Sequence, residues 1–349
     1  MQDYETWKRA EIAHNNERFD EASVHYNRLL NSPFYFLDAH IRIATLQPLN
    51  NAHSTPLLVW RVAERFPIVR QALKYIDFSE EVIEYDSNLR FGHKYERLAN
   101  RMVCVDWRLS DPQSLNYYIS ARRSGCQMVL IHLSDENFMD YHSLYPLFRR
   151  VFRQYAGELV LAYKNVDLFP CAGADLSWSN CKIAPQANPA ARRYSWNFIG
   201  DDTKNDRREA INTFKTIPNN FLYTVSDFFD ERKLPKIDYL EALSQSVFTL
   251  CPMGYTHVET MRYWEALECG SIPIFAHPER SDYYSKYFGC GKYPIPVFKS
   301  WADARTYVTN LLNHPDELLQ ASVSSQTWWR LQKTRLARNV QVTLGKAWA

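Results

Sequence analysis

Short apolar runs alternate with segments of helical periodicity from about residue 80 onward, and this alternation predicts an α/β fold. The clearest run is QMVLIHL at 127–133, which is typical of a strand buried on both faces of a parallel sheet. The predicted strands are residues 81–85, 102–107, 127–133, 159–163, 194–200, 221–225, 247–251 and 272–275. The predicted helices are residues 112–123, 138–155, 239–244, 301–312 and 316–338, with one more that begins near residue 259.

The N-terminal segment has helical character. Residues 4–31 predict a helical hairpin, in which Trp7, Ala10 and Ala13 recur at helical spacing. The hairpin resembles one tetratricopeptide unit, and a single unit of that kind cannot bury its own apolar face. We therefore expect it to pack on the rest of the protein or, through residues 1–46, on a protein partner. Helical character is predicted to continue through residues 37–46 and 57–75.

The stretch 246–275, SVFTLCPMGYTHVETMRYWEALECGSIPIF, predicts a strand, a turn, a helix and a second strand, which together make a βαβ unit. Pro252, Gly254 and Thr256 break the first strand into a turn, and Gly270 ends the helix. A helix that follows such a turn directs backbone N–H groups and the positive end of its dipole toward the edge of the sheet. That position suits a phosphate group.

Side chains in this turn and helix offer groups that a nucleotide needs. Gly254 permits close approach of the backbone to a ligand, and Thr256 and Thr260 offer hydroxyls. Glu265 can accept hydrogen bonds from two adjacent ribose hydroxyls. The alternative is an ordinary βαβ unit in which Arg262 and Glu265 form a surface ion pair.

The pattern LCPxGxxxxETxRxxEALxxGxIPI in this stretch resembles the C-terminal signature of exostosin-type glycosyltransferases, and among them the branch of the ribitol xylosyltransferases. The likeness in motif covers residues 250–274, and elsewhere it is one of layout. The resemblance implies a GT-B fold, in which two Rossmann-like domains face each other across a cleft. It also implies transfer of a sugar from a nucleotide sugar with inversion at the anomeric carbon. The matching residues are Leu250, Cys251, Pro252, Gly254, Glu259, Thr260, Arg262, Glu265, Ala266, Leu267, Gly270, Ile272, Pro273 and Ile274.

The resemblance further implies a UDP-sugar donor, with UDP-xylose first and UDP-glucuronic acid or UDP-galactose next, and a glycan hydroxyl as acceptor. It implies that Arg207, downstream of the predicted strand 194–200, reaches the diphosphate, which a guanidinium can hold at two atoms. The alternative for Arg207 and Arg208 is a solvated helix face. The candidate donor-site residues are Arg207, Pro252, Gly254, Tyr255, Thr256, Glu259, Thr260, Arg262 and Glu265.

Asp135 and Glu136 are the candidates for the catalytic base. An inverting transfer needs a group that takes the proton of the acceptor hydroxyl, and the resemblance implies that this group lies in the N-terminal domain. Both residues follow the predicted strand 127–133, so with His132 they are expected at the carboxyl edge of the sheet. The alternative is that Asp135 caps the next helix and Glu136 is solvated or ion-paired. Asp106 is a further candidate base.

The sequence predicts no metal and no other cofactor. No DxD pattern follows a predicted strand, so the metal-bound diphosphate of GT-A transferases is not expected. The departing nucleoside diphosphate would then be stabilised by Arg207, Arg262 and the backbone N–H groups after Cys251. The chain also lacks the sequence motifs of serine hydrolases, P-loop proteins and dinucleotide-dependent oxidoreductases.

Composition and charge narrow the class of protein further. A net charge of +2 over 349 residues gives no bulk attraction to nucleic acid. The seven cysteines show no CxxC spacing, which favours a reducing compartment. The charged N-terminus and the lack of a long apolar run predict neither a signal peptide nor a membrane span. We therefore expect a cytoplasmic protein of bacterial or viral origin, unless the chain is a trimmed catalytic domain of a Golgi protein.

Four regions are predicted along the chain: a helical extension at 1–75, an acceptor domain at 76–190, a nucleotide-sugar domain at 191–325, and a helix at 326–349 that crosses back to the first domain. Two other functions remain open. One is a non-catalytic nucleotide- or glycan-binding protein that docks a partner through its helical hairpin. The other is a nucleotide-sugar epimerase of GT-B shape.

Overall fold

A computed structural model describes residues 2–32, 36–46, 49, 55–61, 67–83, 99–171, 188–227, 230–289 and 293–347. The chain divides into two compact units, which are described separately. Unit 1 consists of residues 1–63, 76–168 and 341–349, and unit 2 consists of residues 64–75 and 169–340.

The elements up to residue 168 are mostly helices at first and then strands that alternate with helices. They are α1 (Gln2–Asn15), α2 (Phe19–Arg28), α3 (Phe36–Leu46), β1 (Leu57–Arg61), α4 (Pro67–Leu73), β2 (Glu80–Ile83), β3 (Arg101–Asp106), α5 (Pro112–Arg123), β4 (Gln127–His132), β5 (Arg150–Arg153), α6 (Glu158–Leu161) and β6 (Val166–Leu168). A 3-10 helix at His142–Leu147 precedes β5.

The elements after residue 168 alternate between strands and helices and end in one long helix. They are β7 (Tyr194–Asp201), α7 (Arg207–Phe214), β8 (Asn220–Val225), α8 (Lys236–Ser244), β9 (Ser246–Leu250), α9 (Met261–Glu268), β10 (Ile272–Ile274), α10 (Tyr283–Phe288), α11 (Trp301–Asn313) and α12 (Pro315–Ala347).

The sheet of unit 1 has the strand order β2-β1-β3-β4-β5-β6, and every pairing in it is parallel. Val59, Cys104, Leu130 and Val151 lie side by side across its four central strands and are fully buried. Strands covered on both faces need apolar residues at every position, which explains the continuous apolar runs in the sequence.

The sheet of unit 2 has the order β8-β7-β9-β10 and is also parallel. Trp196, Phe248 and Ile272 form one row across it, and Trp301 of α11 belongs to the same buried cluster. The prediction of two Rossmann-like α/β units is therefore confirmed.

The two sheets share one topological feature. In each, the second strand along the chain pairs on one side of the first, and the third pairs on its other side. The chain order therefore reverses between β1 and β3 in unit 1, and between β7 and β9 in unit 2. Ligands of open α/β sheets bind outside the carboxyl ends of the strands at such a reversal.

One prediction mistook a strand for a helix. Residues 57–75 were expected to be helical, but Leu57–Arg61 forms β1, a strand inside the sheet of unit 1, and among the described residues of this range only Pro67–Leu73 is helical. All five residues of β1 are buried. A run of four apolar and aromatic residues before an arginine is too short for periodicity to separate a buried strand from a helix.

Two further predictions were wrong near the end of this sheet. Residues 138–155 were expected to form one amphipathic helix, but they hold the 3-10 helix His142–Leu147 and β5. Pro146 lies inside that 3-10 helix, and proline disfavours continuation as an α-helix because it lacks the N–H donor. Residues 159–163 were expected to be a strand, but α6 covers Glu158–Leu161 and the strand β6 follows it.

The N-terminal hairpin is confirmed, with α1 and α2 packed together. Ala10 and Ala13 of α1 share one buried cluster with Tyr26 of α2 and with Ala39 and Ile43 of α3. The third helix thus covers the apolar face that a single hairpin leaves open. Within the described ranges, every helix is too short or too polar to span a bilayer.

Candidate functional site

The site in unit 2 begins at the carboxyl ends of β7 and β9, where the strand order reverses. β7 ends in Gly200 and Asp201, and β9 leads into the turn Cys251–Gly254. Residues 205–207 follow β7, and residues 260–265 follow the turn after β9. The stretch singled out in the sequence therefore lies at the position where α/β sheets bind ligands.

Arg262, in the first turn of α9, is held at the end of β7. Its Nε and Nη2 donate to the carbonyl oxygen of Ile199, at 3.2 and 3.0 Å. Its guanidinium also lies over the ring of Phe198, 4.8 Å from the ring centroid. These contacts fix the plane and direction of the cation.

Gly200 makes room for Arg262. Its φ is +142°, and a Cβ added at this position would lie 2.7 Å from Nη2 of Arg262. Only glycine satisfies both the backbone conformation and the close approach. The sequence signal for this feature was the glycine that ends the predicted strand 194–200.

Nη1 of Arg262 is buried and has no hydrogen-bond partner within the described ranges. A buried donor that belongs to a cation and has lost its water costs free energy until an acceptor meets it. An anionic ligand at the end of β7 and β9 would supply that acceptor.

Residues 205 and 206 hold the turn after β9. Nδ2 of Asn205 donates to the carbonyl oxygens of Gly254 and Tyr255, at 2.7 and 3.2 Å. The carboxylate of Asp206 accepts from the backbone N–H of Met253 at 3.2 Å and from Nε1 of Trp301 at 2.9 Å. The position of this turn is thus set by side chains that lie almost 50 residues earlier.

Arg207 takes part in the same support and does not point to an open position. Its guanidinium donates to the carbonyl oxygen of Asp201 at 2.9 Å and to that of Met253 at 3.4 Å. Arg207 is buried, whereas Arg208 is exposed. This arrangement does not favour the predicted contact between Arg207 and a diphosphate, because the guanidinium already donates to the backbone carbonyls of Asp201 and Met253.

Glu265 lies one turn further along α9 and is largely buried. Its Oε2 accepts a hydrogen bond from the hydroxyl of Tyr239 on α8. Burial raises the pKa of Cys251, and the charges of Arg262 and Glu265 act on that thiol with opposite signs. Both charged side chains therefore lie near the end of β9, each with a partner of its own, and neither matches the alternative of a surface ion pair.

Glu259 is fully buried and serves the structure of this region. Its two carboxylate oxygens accept from the backbone N–H of Cys171, from Nε1 of Trp264 and from the hydroxyl of Tyr283, at 2.7 to 3.0 Å. Burial raises its pKa, against the effect of these three donors. Glu259 thus links the segment at Cys171 to α9 and α10 through hydrogen bonds. Its predicted role in donor binding would therefore be to position these elements, without contacting the donor itself.

The remaining predicted donor residues line the turn itself. Pro252 is buried, and Gly254 donates its N–H to the carbonyl oxygen of His257 at 2.8 Å. Tyr255 is 59% exposed, with Nζ of Lys204 lying 4.6 Å from its ring centroid. Thr256 is exposed as well, and Thr260, the residue before α9, makes no side-chain capping bond.

In unit 1, Asp135 lies at the carboxyl edge of the sheet, but its oxygens are all engaged. They accept from Nε2 of His142 at 2.7 Å, from Nη1 of Arg153 at 2.9 Å, and from the backbone N–H groups of Met139 and Asp140, at 2.6 and 3.1 Å. The side chain of Arg153 is fully buried. Asp135 therefore forms a buried charge pair inside a hydrogen-bonded loop.

The electrostatics of Asp135 do not suit a catalytic base. Burial alone would raise its pKa, but the hydrogen bond from His142 and the charge of Arg153 outweigh burial and lower the pKa to about 2. A base works best with a pKa near the operating pH. Asp135 also has a φ of +56°, so it neither caps a following helix nor sits in relaxed backbone.

The other base candidates differ in environment. Asp106 is buried, with one oxygen near Nε of Arg61 at 3.3 Å and a bond from the hydroxyl of Tyr118 at 2.7 Å. Glu136, next to Asp135, is half-buried. The carboxylates of Asp106 and Asp135 are each paired with a buried arginine, so both negative charges are compensated within the protein.

His132, Asp135 and Asp140 bring possible metal-ligand atoms within 4.8 Å of one another. Nε2 of His132 is already bonded to Asp140 at 2.8 Å. Nη1 of Arg153 lies 2.9 Å from Asp135 and 3.2 Å from Nδ1 of His132, so a cation already sits among these atoms. The cluster fits a buried ion-pair network better than a metal centre.

Residues 177–337, just under half of the chain, match the family described as the RXYLT1 C-terminal domain. No curated protein matches the chain with significance. An α1,3-fucosyltransferase structure aligns with 15% identity and a TM-score of 0.45, over 82% of this chain and 86% of that chain. The same kind of enzyme with GDP-fucose gives 15% identity and a TM-score of 0.44, over 82% and 87%. A point mutant of the Thermobaculum terrenum O-GlcNAc transferase aligns with 10% identity and a TM-score of 0.49, over 99% and 84%.

Proposed function

We propose that this protein is a glycosyltransferase that moves a sugar from a nucleotide sugar to a hydroxyl of a glycan. The matched family covers the stretch that holds the strand reversal of unit 2, Arg262 and Glu265. The donor that the sequence resemblance favours is a UDP-sugar, with UDP-xylose as the first choice. The proposed reaction inverts the configuration at the anomeric carbon.

The observation that carries this proposal is the state of Arg262. Its guanidinium is fixed by Ile199 and Phe198 at the carboxyl edge of the sheet, while its buried Nη1 lacks an acceptor in the described part of the chain. A guanidinium that is already oriented binds phosphate oxygens without losing further side-chain freedom. The first turn of α9 adds backbone N–H groups and the positive end of the helix dipole.

The same groups would assist the reaction. When the bond between the sugar and the diphosphate breaks, negative charge grows on the leaving nucleoside diphosphate. Arg262 would meet that charge at a position set before the reaction, which is the main requirement for electrostatic stabilisation. The proposed transfer is therefore independent of a metal ion, and activity should survive removal of divalent cations by EDTA.

Glu136 is the proposed general base, because it follows β4 at the carboxyl edge of the sheet of unit 1 and is half-buried. Glu136→Gln removes the basic oxygen and keeps the size of the side chain, so we expect kcat to fall by about a hundredfold or more while the protein stays folded. Asp135→Asn is the informative comparison, because it should lower the melting temperature through the Arg153 pair. Unchanged kcat in a folded Glu136→Gln variant would remove Glu136 from the mechanism.

A donor panel tests the proposed function. Melting temperature and release of nucleoside diphosphate are measured with UDP, GDP, CMP, UDP-xylose, UDP-glucuronic acid and UDP-galactose. A ligand present at about a hundred times its dissociation constant adds roughly 2.7 kcal/mol of stability, which is a shift of several degrees. Stabilisation by UDP and by one UDP-sugar, with transfer to a glycan, supports the proposal. The absence of any shift would overturn it, and binding without transfer or hydrolysis would favour the non-catalytic nucleotide-binding protein.

A further inference from the structure

We propose that the outer face of α12 binds the surface of a membrane that contains anionic lipids. The outer face is the set of exposed side chains along the part of α12 that belongs to unit 2: Leu319, Val323, Thr327, Arg330, Leu331, Thr334, Arg335 and Arg338. It lies on a different element from the site after β7 and β9, so the inference does not depend on the proposed function.

The first observation is the distribution of charge in this helix. All 39 acidic residues of the chain precede residue 318, whereas the residues from 318 onward include the cations Arg330, Lys333, Arg335, Arg338 and Lys346. Lys333 pairs with Glu268 at 2.7 Å. Arg330, Arg335 and Arg338 form no ion pair with any residue that the structure describes. The outer face therefore carries three positive charges that no carboxylate compensates.

The second observation is that aliphatic side chains lie among these arginines. Residues 319, 323, 327, 331 and 335 are spaced by four, so they form one row along the helix. In this row, Leu319 is 42% exposed, Val323 is 54% exposed and Leu331 is 58% exposed. Between residues 319 and 338 the helix is about 28 Å long. Apolar and cationic groups thus share one extended surface.

The other side of α12 is fixed to unit 2. The ring of Trp329 contacts that of Trp264 on α9, with 5.3 Å between the centroids, and the ion pair of Lys333 joins α12 to the end of the same helix. Leu318 belongs to the buried cluster of the sheet. The outer face is therefore presented by a folded and anchored helix, which does not have to unfold or turn in order to bind.

An anionic bilayer surface uses both kinds of side chain on this face. Arginine stems lie along apolar surface while their charged ends stay among the headgroups, and aliphatic side chains enter the boundary of the acyl layer. Each arginine near such a surface adds about fivefold to the affinity. A nucleic acid is the competing partner, but it binds through contacts between cations and phosphates and gains nothing from exposed leucine or valine.

The experiment is sedimentation of the full chain with lipid vesicles. One set of vesicles contains phosphatidylcholine alone, and the other contains about 30% phosphatidylserine, which gives a negative surface potential. We expect the second set to bind about a hundredfold more tightly, because three arginines contribute about fivefold each. Raising the ionic strength from about 0.1 M to about 1 M shortens the Debye length from about 10 Å to about 3 Å and should release the protein.

The arginine variant removes the three charges together. Arg330→Gln/Arg335→Gln/Arg338→Gln should lose about a hundredfold in affinity for the anionic vesicles. The matched control, Arg208→Gln/Arg280→Gln/Arg305→Gln, removes three exposed arginines elsewhere in unit 2 and should lose at most about threefold. All these positions are exposed, so the melting temperature of each variant should stay within a degree or two of the wild type.

The aliphatic variant separates a lipid surface from a nucleic acid. Val323→Thr/Leu331→Gln keeps every charge, and it should weaken binding to the anionic vesicles by about tenfold because less apolar surface is buried. Its affinity for a short duplex DNA should equal that of the wild type, since the phosphate contacts are unchanged.

Three results would overturn the inference. The first is a wild type that binds neither set of vesicles, or both sets equally. The second is an arginine variant that binds the anionic vesicles as tightly as its matched control does. The third is unchanged vesicle binding in the aliphatic variant; duplex DNA that binds the wild type as tightly as the vesicles do would then assign the outer face to a nucleic acid.

Discussion

The carboxyl edges of the two parallel sheets differ in how their charges are satisfied. Both sheets reverse their strand order in the same way, and both place charged side chains after the strands. In unit 1, the guanidinium of Arg153 forms an ion pair with Asp135 and lies within hydrogen-bond distance of His132 and His142. In unit 2, Arg262 is held by a carbonyl and a ring and keeps a buried nitrogen that no described residue meets.

The difference teaches how to separate structural from ligand-binding charges. Charged residues after parallel strands are common to both edges, so their place in the sequence does not distinguish them. A buried charge that is fully paired within the protein stabilises a loop, and breaking the pair is costly. A buried cationic donor without an acceptor is a candidate for ligand binding when it also lies where the strand order reverses. We infer that unit 2 carries the anion site and that the Asp135 network gives unit 1 a rigid loop.

The largest expected effect is on stability, and it concerns unit 1. Arg153→Met should destabilise the protein by about 3 to 5 kcal/mol, because it leaves the buried carboxylate of Asp135 without its cation. The melting temperature should fall by about 10 °C. Arg149→Met is the control, since Arg149 is an exposed arginine four residues earlier, and it should change the melting temperature by at most a degree or two. Equal effects of the two changes would contradict the account of this edge.

Glu259→Ala tests whether a motif residue in unit 2 is structural. It removes the acceptor of three buried donors, on Cys171, Trp264 and Tyr283, so we expect a loss of about 3 kcal/mol in thermal or urea unfolding. The exposed Glu279→Ala is the control. If Glu259→Ala left stability unchanged and abolished nucleotide binding, Glu259 would be a direct donor contact and our interpretation would be wrong.

Acid unfolding tests the charge pair in unit 1 without replacing a cation. The pKa of Asp135 is lowered from its usual value to about 2, so its ionised form stabilises the folded protein above the unfolded-state pKa. That stability, about 2 kcal/mol, is lost as the pH falls from about 4 to about 2. In Asp135→Asn the free energy of unfolding should depend less on pH in this window. An unchanged slope would show that Asp135 is not paired in solution.

A smaller effect is expected at the support of the donor turn. Asp206→Ala removes the bonds to the Met253 N–H and to Trp301, which should cost about 1 kcal/mol of stability and weaken UDP binding by roughly fivefold. The exposed Asp238→Ala, on α8, is the control for loss of one negative charge. Affinity that stays at the wild-type value in Asp206→Ala would mean that the turn does not contact the ligand.

The sequence predicted the parts of this structure that depend on local pattern. The βαβ unit around Arg262 was predictable because strand, turn, helix and second strand each leave a clear signal in one short stretch. The buried strand predicted at 127–133 was found for the same reason, and the structure has it as β4. β1 was missed, because five buried residues carry no period that separates strand from helix.

The sequence could not predict which polar groups form hydrogen bonds with each other. Asn205 and Asp206 support a turn almost 50 residues away, and Tyr239 bonds a glutamate on another helix. Such contacts follow from strand order and helix placement, which hydrophobic periodicity does not specify. The same limit applies to Arg207 and Asp135: the sequence indicated that each follows a strand, but not which groups each one contacts.

The central claim is that Arg262 is held ready for the diphosphate, and one titration tests it most directly. The affinities for UDP and for uridine are measured by calorimetry on the wild type, Arg262→Met and the exposed control Arg208→Met. Our account predicts that Arg262→Met loses about a hundredfold in affinity for UDP, little for uridine, and at most about 1 kcal/mol in stability without ligand. Wild-type affinity for UDP in a folded Arg262→Met variant would contradict it.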